Sequence, residues 1–209
     1  RGSAELELGD YESAKADFDK AISMDPKNYD RLIEIYEALA DYGYREVGQE
    51  YLQNVLDTAK QLDAYDSGRI YYYLGDYQKA YLALEEAKGK GGVDSYLYLG
   101  KAYAATGDYN YASSVYSNYL SKQGPDAEIY NQLGLCELAK KDYQKALEAF
   151  QAGKQIEGNS LMQTLSFNEI VAYEYLQDYQ KAAVLLNAYL QNYPDDQAAI
   201  REQQFLSTR

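Results

Sequence analysis

Cys136 is the only cysteine in the chain, and there is no histidine to activate it as a nucleophile or to share a metal ion with it. A lone thiol two residues after Gly134, on an apolar helix, reads as a small core residue. It also excludes an intrachain disulfide, so the fold must stand on packing. Carboxylates are plentiful, but pairs such as Glu85-Glu86 and Asp195-Asp196 are sequence neighbours that diverge around a helix. That geometry is wrong for a cooperating acid and base. Lys88-Gly89-Lys90-Gly91-Gly92 has the look of a phosphate loop, yet it lacks the spaced Gly-Lys-Ser/Thr and follows a helix, so it reads as a turn. No catalytic residue, cofactor-binding residue or metal ligand is assigned, and the chain is read as a non-enzyme that needs no cofactor.

Of its 209 residues, 33 are acidic and 20 basic, a formal net charge of −13. Such a chain repels polyanions unless a local basic patch intervenes, which makes nucleic acid and anionic membrane poor partners. A hydrophobic content of 46% with 25% charged residues is ordinary globular composition, so the chain folds. The longest apolar run, from Ala182 to Leu190, is interrupted by Asn187 and falls well short of the roughly 20 residues of a membrane-spanning helix. Tyrosine dominates the aromatic set, with 26 residues and no tryptophan. Tyrosine gives large contact area at low entropic cost, which suits a binding surface, but most of it reads as structural, with Tyr11, Tyr77, Tyr109, Tyr143 and Tyr179 belonging to a recurring turn.

These residues are positioned by a repeat. Gly9-Asp10-Tyr11, Gly75-Asp76-Tyr77 and Gly107-Asp108-Tyr109 recur as Lys141-Asp142-Tyr143 and Gln177-Asp178-Tyr179, with Gly43-Tyr44-Arg45 in the remaining slot. The third residues are separated by 34, 32, 32, 34 and 36 positions, a period that holds two helices and two turns. Glycine ends one helix in the left-handed conformation and aspartate caps the next. Three residues after each tyrosine phase comes a small side chain (Ala14, Gly48, Ala80, Ala112, Ala146, Ala182). Four further on lies a large one (Phe18, Leu52, Leu84, Tyr116, Phe150, Leu186), the buried stripe of the second helix. Gly2, Gly68, Gly100 and Gly134 stand seven residues before the turn, where a mid-helix glycine costs about 1 kcal/mol. Their shared phase predicts that helix backbones touch there. The turn of the second unit, lacking Gly-Asp-Tyr, and the last two turns, lacking the glycine, are expected to differ in detail.

By these residues the chain resembles the tetratricopeptide-repeat (TPR) family. The resemblance covers residues 1–27 as a truncated unit, then 28–60, 61–92, 93–126, 127–162 and 163–196, with a capping helix over 197–207. Pro26 and Pro194 occupy the family's inter-repeat proline position, and Pro125 lies one residue off it. It implies an all-α fold, a right-handed α-α superhelix of about six helix-turn-helix repeats forming one solenoid domain over 1–209. Gly2 sits where a mid-helix glycine belongs, so the chain is read as truncated at its N-terminus, with an open repeat face through which it can self-associate. Arrays rich in tyrosine, asparagine and glutamine also look like extracytoplasmic parts of bacterial lipoproteins, which sets the expected localisation.

In the family the first helices line a concave, ligand-binding face. Carried over by phase, that face contains Ile33 and Glu37, then Tyr65, Arg69 and Tyr72, Leu97 and Lys101, Asn131, Leu135 and Leu138, and Phe167, Val171 and Glu174. Arg69 and Lys101 share a phase in adjacent repeats and can be bridged by a carboxylate or acidic peptide. The alternative is that they pair with local acids such as Asp66 and Asp94. The implied function is a protein- or peptide-binding scaffold whose partner is another protein. Alternatives are a passive spacer or assembly arm of a larger surface-anchored protein, and, from a different class, a small-molecule-binding or catalytic helical repeat. The pattern of lysine and asparagine used by chaperone-binding relatives is missing.

Overall fold

Each helical hairpin is organised from its turn. In a computed structural model, which describes residues 1–88, 90 and 92–209, Gly75 has φ of 82° and ends its helix in the left-handed region. The following Asp76 N–H donates to the Tyr71 carbonyl at 3.0 Å, closing the wide turn that terminates the helix. The Asp76 carboxylate then accepts from the Lys79 N–H and starts the next helix. Asp10, Asp142 and Asp178 cap in the same way. Lys141 and Gln177, where the glycine is missing, adopt φ of 63° and keep the same turn. At these two turns the expected difference in detail is therefore not found: the backbone takes the left-handed conformation despite a β-carbon, at a cost of roughly 1–2 kcal/mol. The second unit does differ, since Tyr44 stands at the cap position and makes no side-chain cap bond.

Among the described residues the structure is all-α, with thirteen helices and no strand. Helices α1 (Gly2–Glu7) and α2 (Tyr11–Met24), α3 (Tyr29–Asp41) and α4 (Arg45–Thr58), and α5 (Ala64–Leu74) and α6 (Tyr77–Ala87) form three hairpins. A further three are α7 (Gly92–Ala105) with α8 (Tyr109–Gln123), α9 (Ala127–Ala139) with α10 (Tyr143–Lys154), and α11 (Met162–Tyr175) with α12 (Tyr179–Asn192), followed by α13 (Gln197–Leu206). The chain divides into two compact units, Arg1–Gly91 and Gly92–Arg209. In each, every hairpin packs on the next in sequence. Gly89 and Gly91, part of the expected turn at 88–92, lie outside the described residues. No described helix is long and apolar enough to cross a membrane.

The stripe expected on the second helices is the core. Ala14, Ala80, Ala112, Ala146 and Ala182 are fully buried, as are Leu52, Leu84, Tyr116 and Phe150. Each large side chain contributes about 1.5–3 kcal/mol by leaving water. The mid-helix glycines mark close approach, as their spacing predicts, and backbone takes part at Gly68, where an added β-carbon would lie 3.3 Å from the Ala80 carbonyl oxygen. What they meet first is the large side chain sixteen positions on: a β-carbon added at Gly100 would lie 2.2 Å from the Tyr116 ring, one at Gly134 2.3 Å from Phe150, and one at Gly68 2.5 Å from Leu84. The second hairpin inverts the arrangement. Tyr36 fills the glycine phase, and the small residue opposite is Gly48, whose added β-carbon would lie 2.9 Å from the Tyr36 ring.

Candidate functional site

In the first unit the faces of α3 and α5 are held against each other by one cation. Asn28 caps α3 and Asp63 caps α5, each accepting from the N–H three residues on. Arg69 reaches back from α5 to place Nη1 2.5 Å from Asp30 Oδ1 on α3, while Nη2 lies 2.5 Å from Asp66 Oδ1. Its guanidinium covers the Tyr65 ring at 4.3 Å, and its side chain is only 8% exposed. Burial works against the charge on Arg69, but hydrogen bonds to Asp30 and Asp66 outweigh it and raise the pKa. Burial pushes the Asp66 carboxyl up, against the pull of Arg69. Arg69 is therefore a staple between neighbouring first helices.

One helical turn further along α5 an aromatic cleft of about 430 Å³ opens, lined by Tyr36, Glu37, Ala40, Asp41, Arg45, Tyr72, Tyr73 and Tyr77. The Tyr73 hydroxyl donates to Glu37 Oε1 at 2.5 Å, and its ring lies 5.1 Å from that of Tyr36. Tyr72 stands edge-on to Tyr73 at 5.4 Å and 5.7 Å from Tyr77. Arg45 Nη1 donates to the Tyr36 hydroxyl at 2.9 Å. The gap between α3 and α5 is thus lined by tyrosine side chains, with Glu37 and Asp41 exposed at its edge. Its lining, as described, holds no nucleophile with a neighbouring base.

The structure distributes the other sequence-derived candidates unevenly. Glu37 and Tyr72 meet in the cleft, whereas Ile33 is buried in the core with Leu32, Tyr36 and Leu52. In the second unit Lys101 lies 3.6 Å from Glu128 of α9. Asn131 is buried, and its Oδ1 accepts from Asn168 Nδ2 of α11 at 2.8 Å. Leu97 packs beside Tyr116 and Ile129. The Phe167 ring lies 5.7 Å from that of Tyr189, against the next helix. Leu135 is 40% exposed. Glu174 on α11 is half-buried and faces Glu202 of α13; burial, and then the second carboxylate, push its pKa up to about 7.

Sequence reasoning did not single out Tyr36, Asp41 and Arg45, nor the buried carboxylates Glu137 and Glu169. Glu169 bonds to Lys154 and Gln151 of the preceding helix, and Glu137 pairs with Lys140. A usable signal existed. Contacts between neighbouring first helices fall at separations of 36 for Tyr73 and Glu37, 37 for Asn168 and Asn131, and 39 for Arg69 and Asp30. Each is one period plus a few residues, so complementary residues at those offsets mark pairs that meet across hairpins.

Family models described as tetratricopeptide repeat match residues 1–28, 97–160 and 167–196. Among solved structures, a thermophilic TPR protein of Thermus thermophilus is similar at 15% identity, covering 87% of this chain and 100% of its own, with a TM-score of 0.66. PilF of Pseudomonas aeruginosa is 17% identical over 100% of this chain and 94% of its own, with a TM-score of 0.59. YrrB, a TPR protein with an unusual peptide-binding site, is 20% identical over 90% of this chain and 97% of its own, at 0.58. At such identities the likeness is one of fold. No curated protein sequence matches.

Proposed function

Because the chain belongs to the tetratricopeptide-repeat family, a fold that serves as a scaffold for protein–protein interaction, we propose that it holds a segment of another protein and catalyses nothing. The observation that carries this reading is the cleft between α3 and α5. Its volume falls within the roughly 300–1,000 Å³ of ligand sites, and tyrosine, its main lining residue, is enriched in binding hot spots. Tyr72 is the anchor we assign there, with Tyr65 beside it on the same helix. In the second unit Leu135 offers an exposed apolar contact.

Arg69 and Lys101 enter this reading differently from the cleft residues. They stand in different units, and each already faces carboxylates, Asp30 and Asp66 for one and Glu128 for the other. Their part is to hold first helices together. That same neutralisation favours a second reading, a passive spacer, in which the helical faces serve packing alone.

Random-peptide display on the purified chain separates the two. A scaffold enriches sequences whose affinity drops about tenfold or more when Tyr72→Ala is introduced, and is unmoved by Tyr111→Ala on α8. A spacer enriches nothing, or enriches sequences indifferent to Tyr72.

A further inference from the structure

We propose that the cleft between α3 and α5 receives the cationic side chain of a lysine or arginine carried by a basic segment of a partner protein. The inference rests on the scaffold reading and adds the chemistry of what is held. Four tyrosine rings line the cleft, and an aromatic face attracts a cation within about 6 Å of its centroid. The Tyr72 ring lies 5.4 Å from that of Tyr73 and 5.7 Å from that of Tyr77, so an ammonium or guanidinium that reaches Tyr72 between α3 and α5 has other rings beside it. The chain already makes this contact internally, with Arg69 over Tyr65 at 4.3 Å and Lys79 over Tyr71 at 5.3 Å.

Charge points the same way. Among the described residues neither Glu37 nor Asp41 makes an ion pair, and both are exposed at the edge of the cleft. Arg45 is the one cation on the lining, and its Nη1 is directed to the Tyr36 hydroxyl. Two carboxylates therefore face one guanidinium, in a chain whose net charge is −13 and whose long-range field draws basic partners. An acidic ligand would meet the opposite field and find Arg69 buried between Asp30 and Asp66.

The test uses the full chain and three nine-residue peptides in which serine alternates with lysine, norleucine or glutamate. Calorimetry should show that the lysine peptide binds best and weakens as sodium chloride is raised. Tyr72→Leu should weaken it about tenfold while Tyr72→Phe, which keeps the π-face, retains it. Glu37→Gln combined with Asp41→Asn should weaken it as well. Glu12→Gln combined with Glu86→Gln, an equal charge change on exposed positions away from the cleft, should not. Circular dichroism checks that each variant is folded.

Equal affinity for the lysine and norleucine peptides, or equal loss in the control pair, overturns the inference. So does lysine amide competing as strongly as the peptide, since the cleft would then be a small-amine site. Binding of the norleucine or glutamate peptide that Tyr72→Leu abolishes also overturns the cation inference while leaving the scaffold reading standing. Display that enriches nothing removes both.

Discussion

A residue with no side chain sets the spacing inside these hairpins. Gly134 leaves room for the fully buried Phe150 ring, and the β-carbon of an alanine would lie 2.3 Å from it. Gly134→Ala gains about 1 kcal/mol of helix propensity, but must displace a ring that has nowhere to go. Overpacking of this kind costs roughly 1–3 kcal/mol, and the ring edge is met almost head-on. The expected result is net destabilisation in urea titration, partly restored in the double variant with Phe150→Leu. The opposite effect is expected at the turns. Gln177 holds φ of 63°, and Gln177→Gly should stabilise the chain by about 1 kcal/mol, measured in the same titration. The turn was legible from sequence because glycine and aspartate act on their own backbone neighbours. The ring seat was not, because its partner is sixteen residues away and the glycine itself says nothing about what fills the space.

Several neighbouring helices in this chain meet through ion pairs, such as Arg69 with Asp30 and Lys154 with Glu169, whereas α13 docks with two carboxylates facing each other. Glu174 on α11 faces Glu202 on α13, and its Oε1 is buried without a hydrogen-bond partner. Burial first, and the neighbouring carboxylate second, raise its pKa from 4.5 to about 7. A carboxyl that binds its proton more tightly when folded contributes stability that is complete below its unfolded pKa and lost as pH rises through the folded one. The docking of α13 should therefore weaken between pH of about 5 and about 8. The protection factors of the α13 amides, exchange rates referred to the intrinsic rate at each pH, read this, and Glu174→Gln should raise protection at the higher pH and flatten the dependence. The phase of Glu174 within the repeat is visible in the sequence, and so is a helix over the last residues. The carboxyl pair is not, because it depends on how the cap crosses α11. The same limit hid the cleft: nothing in the sequence pairs Tyr36 with Tyr73, which the crossing of α3 and α5 brings within 5.1 Å of each other.

At the scale of the molecule, composition constrains more than any motif. Without a disulfide, each unit is held by the stacking of its hairpins, and Cys136 is placed to report on that stacking. It lies on α9, which packs against α7, α8 and α10, and it is 4% exposed. Burial, aided by Glu137 and opposed by Lys140, pushes its thiol up to about 12. At pH of about 8 the native thiolate population is then roughly a thousandfold below that of an ordinary cysteine, before access is considered. Modification by a disulfide reagent must proceed through opening of the second unit, since exposing α9 separates it from helices on both sides. Its rate should rise with urea along with the loss of helical signal. A rate that does not change with urea would mean that the thiol is reached through a local gap. A rate that rises with a much shallower urea dependence than helix loss would mean that one hairpin peels away while its neighbours stay stacked, as a chain of nearest-neighbour contacts permits.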